Sequence, residues 1–406
     1  MKIIFILYNI FESKSGVSNK YIKFIDHLSK NNIEYLLFTS FQNNNDTNTH
    51  IKNKYNIINK KGINVPFYKD IKIPNIKIDD IQNIINNDDI IIFNGEFFWL
   101  YKILSKIKNT YPEIKIIPNW HTNYDYYSNI YFKNIISIKN SKNILYDNLK
   151  NNFFSGIIVT GELTKKDFIK YTPNVFNANE ICLDNFNIFK IDEYNFNETI
   201  NFIYTGRISK EKNLNLIIDI LNNLNLDNSN FKNFKMHIIG DGPCIKNIKN
   251  SINKELKHKI IFYGDINYSM IQDIYTQLNN RIFIQSSKSE TFGKSTMEAC
   301  YSGIPVFVIE CDIHNLLYND NNSFTYGTIQ EFKNELIFFF KLTKKQKENV
   351  IYNGYHNSKQ YDQNEIFQNL QDFLINMNTK KDFNVNKSII NNIFSTINHS
   401  INYFES

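Results

Sequence analysis

Short apolar runs alternate with stretches of helical periodicity along this chain, and the alternation runs through once and then starts again. In the first half the runs are Ile3 to Leu7, Tyr35 to Phe38, Ile90 to Phe93, Ile114 to Ile117 and Gly156 to Thr160. Runs this short and this apolar fit strands buried on both faces. Between the first two, Tyr21, Phe24, Ile25 and Leu28 recur at the spacing of one helix face, and Trp99 to Ile107 reads as a second helix. The pattern restarts near residue 200. Strands are expected at Phe202 to Thr205, Met236 to Ile239, Ile260 to Phe262 and Ile282 to Ile284, with Ile304 to Ile309 closing the series. Helices are expected between them over Leu214 to Leu221, Ile245 to Ile252, Ile271 to Leu278 and Thr296 to Tyr301. Strand–helix alternation of this kind predicts an α/β chain with mainly parallel sheets covered by helices on both faces.

Two such series in 406 residues predict two domains. Asn185 to Thr199 is polar and without period, so it reads as the linker, giving domains at 1–185 and 186–365. Beyond 366 the pattern changes. Ile366, Leu370, Phe373 and Leu374 suggest one helix, and Asn378 to Asp382 a polar break. Val385, Ile389, Ile393, Ile397 and Ile401 then repeat every four residues, beside Ile390, Phe394 and Phe404, as in an amphipathic helix. Docking of residues 366–406 back on the N-terminal domain is the expected arrangement. A protein partner or peripheral contact with a membrane surface are the alternatives, and because the helix is not notably basic the membrane alternative is the weaker.

Composition excludes several classes. Hydrophobic residues at 42% and charged residues at 21% describe a globular chain, not a disordered one. A net charge of +6 is modest for this length; it permits a basic, phosphate-binding cleft and does not call for nucleic acid, for which no motif is present. Cys182, Cys244, Cys300 and Cys311 fit no zinc or disulfide spacing, so free thiols in a reducing, cytoplasmic setting are expected. No apolar stretch is long enough to span a bilayer, and the opening MKIIFILYNIF reads as a first strand because no small-residue cleavage site follows it.

The densest chemical signal is SSKSETFGKSTMEACYSGIPV, Ser286 to Val306. A strand ends in a small-residue loop, Gly293 permits a turn with exposed N–H groups, and a helix follows until Gly303. Glu290 lies in the loop and Glu298 on the helix, where carboxylates could accept hydrogen bonds from sugar or ribose hydroxyls. The helix start could hold a phosphate. The second signal is FIYTGRISKEKNL, residues 202 to 214. Gly206 opens the turn after a strand, and Arg207 and Lys212 could clamp a pyrophosphate. A solvated charge run is the bland alternative. The third is the tight turn IIGDGP, Ile238 to Pro243.

With both flanks, Glu290 and Glu298 resemble the E-x7-E motif of the retaining GT-B glycosyltransferases of family 4, and A-C-x-x-G-x-P-V continues the likeness. The resemblance covers the chain to about residue 375. It implies a GT-B fold, two facing Rossmann-like α/β/α domains with an inter-domain cleft. It further implies transfer of a sugar from a UDP- or GDP-sugar to a glycan or lipid hydroxyl, with retention and without a metal or tightly bound cofactor. By the same resemblance Arg207 and Lys212 stabilise the leaving diphosphate, and Glu290 joins them among the catalytic residues. Thr291, Phe292, Gly293, Lys294, Glu298, Gly206 and Gly240 line the donor site, and Gly264 and Asp265 lie beside the base. In the N-terminal domain His121, in NWHTNYDYY, corresponds to a histidine near the donor sugar, and Gly16 to a glycine-rich loop here reduced to Ser15-Gly16. Tyr124, Tyr126 and Tyr127 are candidates for an acceptor wall. The family's N-G-V-D turn is replaced by ICLDNFN, Ile181 to Asn187, which lacks the glycine. A catalytically silent sugar-binding or scaffold subunit is the reading from another class. The intact set Arg207, Lys212, Glu290 and Glu298 speaks against it.

Overall fold

The computed structural model describes residues 1–12, 16–41, 51–65, 68–95, 100–121, 136–182, 189–226, 231 and 233–377. The chain divides into two units, one of residues 1–178 joined by the chain from Phe367 onward, the other of residues 179–366.

The first unit contains β1 (Ile3–Ile6), β2 (Tyr35–Thr39), β3 (Ile57–Asn59), β4 (Gly62–Val65), β5 (Tyr68–Pro74), β6 (Ile90–Asn94), β7 (Lys115–Trp120), β8 (Ile157–Val159) and β9 (Val175–Asn177). Among the described residues seven strands form one sheet in the order β3-β2-β1-β6-β7-β8-β9, every pairing parallel. β4 and β5 form a separate antiparallel hairpin. The central strands are dry on both faces: Ile3, Phe5, Ile90, Ile92 and Phe93 are fully buried, as their unbroken apolar runs require. The Gly16–Lys30 helix covers one face with Tyr21, Phe24, Ile25 and Leu28, the four residues whose spacing announced it. The Gln363–Asn376 helix closes the same core. Phe367 meets Phe24 at 5.3 Å between ring centroids, and the Lys115 ammonium donates to the carbonyls of Leu374 and Ile375.

The second unit contains β10 (Ile200–Thr205), β11 (Phe234–Ile239), β12 (Ile260–Gly264), β13 (Arg281–Gln285), β14 (Val306–Ile309) and β15 (Phe324–Tyr326). They form a parallel sheet in the order β12-β11-β10-β13-β14-β15. In both sheets the first strand of the unit lies inside, with later strands added first on one side and then on the other, the arrangement of a doubly wound nucleotide-binding fold.

Two expectations need correction. The second series does not close at Ile309: β15 extends the sheet at its edge, and Phe324 stacks on Phe307 at 4.8 Å. The stretch read as a linker is, over its described residues 189–199, packed on the second unit. Asp192 and Arg281, each 1% exposed, form a buried ion pair with Nε to Oδ2 at 2.7 Å, and Tyr194 packs edge-on against Phe339. The chain passes between units at 178/179 and returns inside the Gln363–Asn376 helix. The periodic stretch Val385 to Phe404, Trp99, and Tyr124, Tyr126 and Tyr127 lie outside the described residues.

Candidate active site

In the second sheet the winding direction reverses between β10 and β13, and ligands of such sheets bind beyond the carboxyl ends of strands at that point. Both sequence motifs sit there: Gly206 to Lys212 follows β10, and Ser286 to Gly293 follows β13. The loops after β10, β11 and β12 are laced together. Gly206 N donates to Ile239 O at 2.9 Å, Gly240 N to Gly264 O at 2.8 Å, and Ile208 N to Asp241 O at 2.9 Å. At Gly240, with φ of 131°, an added Cβ would lie 2.0 Å from the Gly206 carbonyl oxygen, so only glycine lets the two turns touch.

Lys212 ends a 3₁₀ turn, Lys210–Lys212, and its ammonium reaches Glu290 Oε1 at 2.5 Å. Ser286 Oγ donates to the Lys212 carbonyl at 2.7 Å, tying the β10 loop to the β13 loop. Gln285 Nε2 stands 3.4 Å from the same carboxylate oxygen and 3.3 Å from Thr296 Oγ1. Burial pushes the Glu290 carboxyl upward, but the Lys212 charge and hydrogen bond, with lesser help from His314 and Ser287, hold it below the usual carboxylate range. Glu290 is therefore an ionised acceptor at neutral pH and cannot serve as a general acid.

Arg207 is exposed, its carbonyl held by the Tyr204 hydroxyl at 3.0 Å. Gly293, left-handed at φ 78°, precedes the Lys294–Tyr301 helix, and no side chain caps the first turn. Glu298 is 3% exposed on this helix. Phe292 packs edge-on against Tyr361 at 4.7 Å, and Lys294 pairs with Glu180 at 2.7 Å. Both are thus fastened to residues of their own unit, and Thr291 is part-buried between Glu290 and Phe292. Asp265 is exposed just past Gly264. The arrangement offers the Lys212–Glu290 pair, an exposed Arg207 on the same loop as Lys212, and a helix start without a side-chain cap.

Sequence reasoning passed over His314. It is fully buried, and Nδ1 lies 2.6 Å from Ile309 O, which can only accept; the ring proton is therefore on Nδ1. Burial holds the imidazole below its ordinary range, hence neutral. Its only signal is a histidine five residues beyond a strand end.

His121 belongs to the first unit, one residue past β7, and is 8% exposed. Nδ1 lies 3.3 Å from Lys20 Nζ and 3.1 Å from Thr160 Oγ1, and Nε2 lies 3.3 Å from the Tyr21 hydroxyl. An ammonium only donates, which makes Nδ1 the acceptor and leaves the proton on Nε2. Burial first, and then the Lys20 charge, press the imidazole well below its ordinary range, so it is neutral. Lys20 is the second residue that the motif reading missed. Gly16 opens the helix that carries Lys20 and Tyr21, with open space where a Cβ would stand. Among the described residues no group of three or more His, Cys, Asp or Glu is placed to hold a metal ion. No described helix is long and apolar enough to cross a membrane.

Residues 187–357 match the family model of the glycosyl transferases group 1. No curated protein matches the sequence. Among solved structures, HepE of Anabaena in complex with UDP is similar at a TM-score of 0.67 and 16% identity, covering 92% of this chain and 99% of that one. S. aureus TarM, in a complex with Fondaparinux, alpha-GlcNAc-glycerol and UDP, is similar at 0.62 and 13% identity, covering 92% and 100%. The lipopolysaccharide outer core galactosyltransferase WaaB is similar at 0.63 and 15% identity, covering 92% and 99%. The two parallel sheets and their strand order, together with the likeness to these structures, make this a chain of GT-B fold, and its residues 187–357, which hold Lys212 and Glu290, match the glycosyl transferases group 1.

Proposed function

We propose that the chain is a retaining glycosyltransferase that moves a sugar from a nucleoside-diphosphate donor, UDP before GDP, to a hydroxyl of a glycan or lipid acceptor, with no metal ion in the reaction. The observation that carries this is the Lys212–Glu290 pair, 2.5 Å apart at the strand-end switch point, with Arg207 on the same loop as Lys212. Two cations and the uncapped amides after Gly293 supply the charge that a departing diphosphate needs. Glu290, kept ionised, accepts hydrogen bonds from donor-sugar hydroxyls and fixes the reacting carbon against the acceptor. It is not a covalent nucleophile in this reading; the departing phosphate oxygen takes the acceptor proton on the face it leaves. Glu298 accepts from the ribose. Gly206, Gly240, Gly264 and Asp265 shape the rim for the base and ribose, and Thr291, Phe292 and Lys294 hold the loop after β13 in place. On the first unit, neutral His121 hands its Nε2–H from the Tyr21 hydroxyl to a donor-sugar hydroxyl, with Gly16 at the neighbouring helix start. The preference for UDP takes support from the UDP complexes of the similar structures.

Calorimetric titration with UDP, GDP and ADP, with magnesium and with EDTA, tests the reading. UDP binding that survives EDTA and drops at least tenfold when Arg207 and Lys212 are both made Met is the expected result. Retained affinity in that double variant would falsify the diphosphate assignment. A supply of UDP-sugars that is neither turned over nor hydrolysed would move the protein to the silent-subunit reading.

A further inference from the structure

The β4–β5 hairpin stands at the carboxyl edge of the first sheet. It is fastened there by side chains. Asn9, just past β1, accepts from Lys72 N at 2.8 Å and donates its own N–H to Lys72 O at 2.9 Å. At the end of β3, Asn59 both accepts from Phe41 N and donates to Phe41 O, and Lys60 N bonds Thr39 O. Between these clamps lies an open pocket of about 460 Å³. Gly62 forms part of its wall, where a Cβ would stand 2.3 Å from Ser40 Oγ. Among the described residues three ammonium groups line it, those of Lys60, Lys61 and Lys72, beside the amide of Asn64 and the hydroxyl of Ser40, and none of the described lining residues is acidic. Lys60 is neutralised by Asp80 at 2.5 Å. Among the described residues Lys61 and Lys72 have no carboxylate partner. Two uncompensated cations in a rigid polar hollow at the ligand-binding edge of an α/β sheet form a receptor for an oxyanion.

We infer that this pocket holds a phosphate or carboxylate group carried by the acceptor glycan, so that the acceptor is an anionic oligosaccharide. The inference rests on the transferase reading. A lipid surface fits less well, because among the described lining residues the one large apolar side chain, Phe41, is 6% exposed. Nucleic acid fits less well because it asks for a row of cations with stacking surfaces, whereas this is a single hollow.

The test uses the full chain and two fluorescein-labelled maltohexaose probes, one neutral and one phosphorylated at its non-reducing end. Anisotropy is read at low and moderate salt, and UDP affinity is measured in the same preparations. The phosphorylated probe should bind about tenfold tighter than the neutral one at low salt, and Lys61→Gln/Lys72→Gln should erase that advantage while leaving UDP affinity unchanged. Equal binding of the two probes, or an advantage that persists in the variant, overturns the inference. So does inorganic phosphate that displaces the probe at the probe's own concentration, which would mark a free-phosphate site. Phosphatidylglycerol vesicles bound by the parent and released by the variant would equally overturn it in favour of a lipid surface. Failure of the transferase reading shows up separately, as absent UDP binding in the parent chain.

Discussion

Glu290 has little access to water and yet is ionised, and the largest reason is one neighbour, Lys212. Removing that neighbour makes a sharp prediction. In the parent chain the carboxyl lies below its ordinary value of 4.5, so its negative charge is lost only as pH falls through that depressed value. Lys212→Met removes the main opposition to burial, leaving only the lesser help of His314 and Ser287, and should carry the carboxyl upward to above 4.5. The acid limb of the kcat/KM profile should then move to higher pH, with turnover at neutral pH down about 100-fold or more. A limb that stays in place would remove Lys212 as the group holding the charge. A second prediction concerns Gly240, where an added Cβ meets the Gly206 carbonyl: Gly240→Ala should cost about 1–3 kcal/mol in denaturant titration and weaken UDP at the same time. At this scale the sequence was readable wherever the chemistry was local. Gly206, Arg207 and Lys212 sit within one loop, and Glu290, Gly293 and Glu298 within one loop and helix. Lys20 and His314 were not readable. Lys20 meets Thr160 across 140 positions, and His314 is defined by burial against Glu290 and Ile309 rather than by spacing.

Elements were legible in proportion to how continuously they are buried. β1, β6 and β13 are buried along their whole length around an apolar run and were found within a residue or two at each end. β3, β9 and β15 are three residues long, too short for any period to register. The apolar run read as β7 ends at Ile117, before Pro118, yet the strand continues to Trp120 with Pro118 opposite Phe93. The polar stretch before β10 misled for another reason: its anchor is a charge. Asp192 accepts from the backbone N–H and guanidinium of Arg281, which opens β13, and a buried pair leaves no hydrophobic trace in sequence. Asp192→Ala should therefore strand a buried guanidinium and cost about 3–5 kcal/mol, read as a lowered midpoint of the second unit. His237 on β11 makes a further prediction. It reaches Asn201 on β10 through Nε2 and Tyr263 on β12 through Nδ1, and burial, with Lys235 adding to it, pushes its imidazole down to about 4 from 6.5. Between those values the unfolded chain takes up a proton that the folded one refuses, so stability falls as pH falls, by about 3 kcal/mol in full. His237→Phe should flatten this part of the pH dependence of denaturant midpoints; an unchanged slope between pH 7 and 4.5 would assign it to other groups.

For the molecule as a whole, the sequence pattern conveyed two α/β series but not where the chain changes hands between them. Ile366, Leu370, Phe373 and Leu374 announced a helix, and nothing local could show that the unit boundary falls inside it, with Phe367 and the residues after it in the first unit and its core. Phe367, Leu370 and Leu374 are 1%, 4% and 0% exposed in the core of the first unit, although they are the last described helix of the chain. Removal of large buried side chains costs about 2–5 kcal/mol each, and a domain holds only about 5–15 kcal/mol in total. A chain ending at Ile366 should accordingly lose the first unit's cooperative unfolding, while residues 179–366, which keep Lys212 and Glu290, retain their own transition and UDP binding. Calorimetry would show one transition where the full chain shows two, and hydrogen exchange would show β1 and β6 unprotected with β10 and β13 still slow. Phe367→Ala/Leu374→Ala in the full-length chain separates the packing effect from loss of the tail, and should lower the midpoint of the first unit alone. If the truncated chain kept β1 and β6 protected, the terminal helix would be an accessory to the first core, and the order of assembly would run from the N-terminal segment without waiting for the end of the chain.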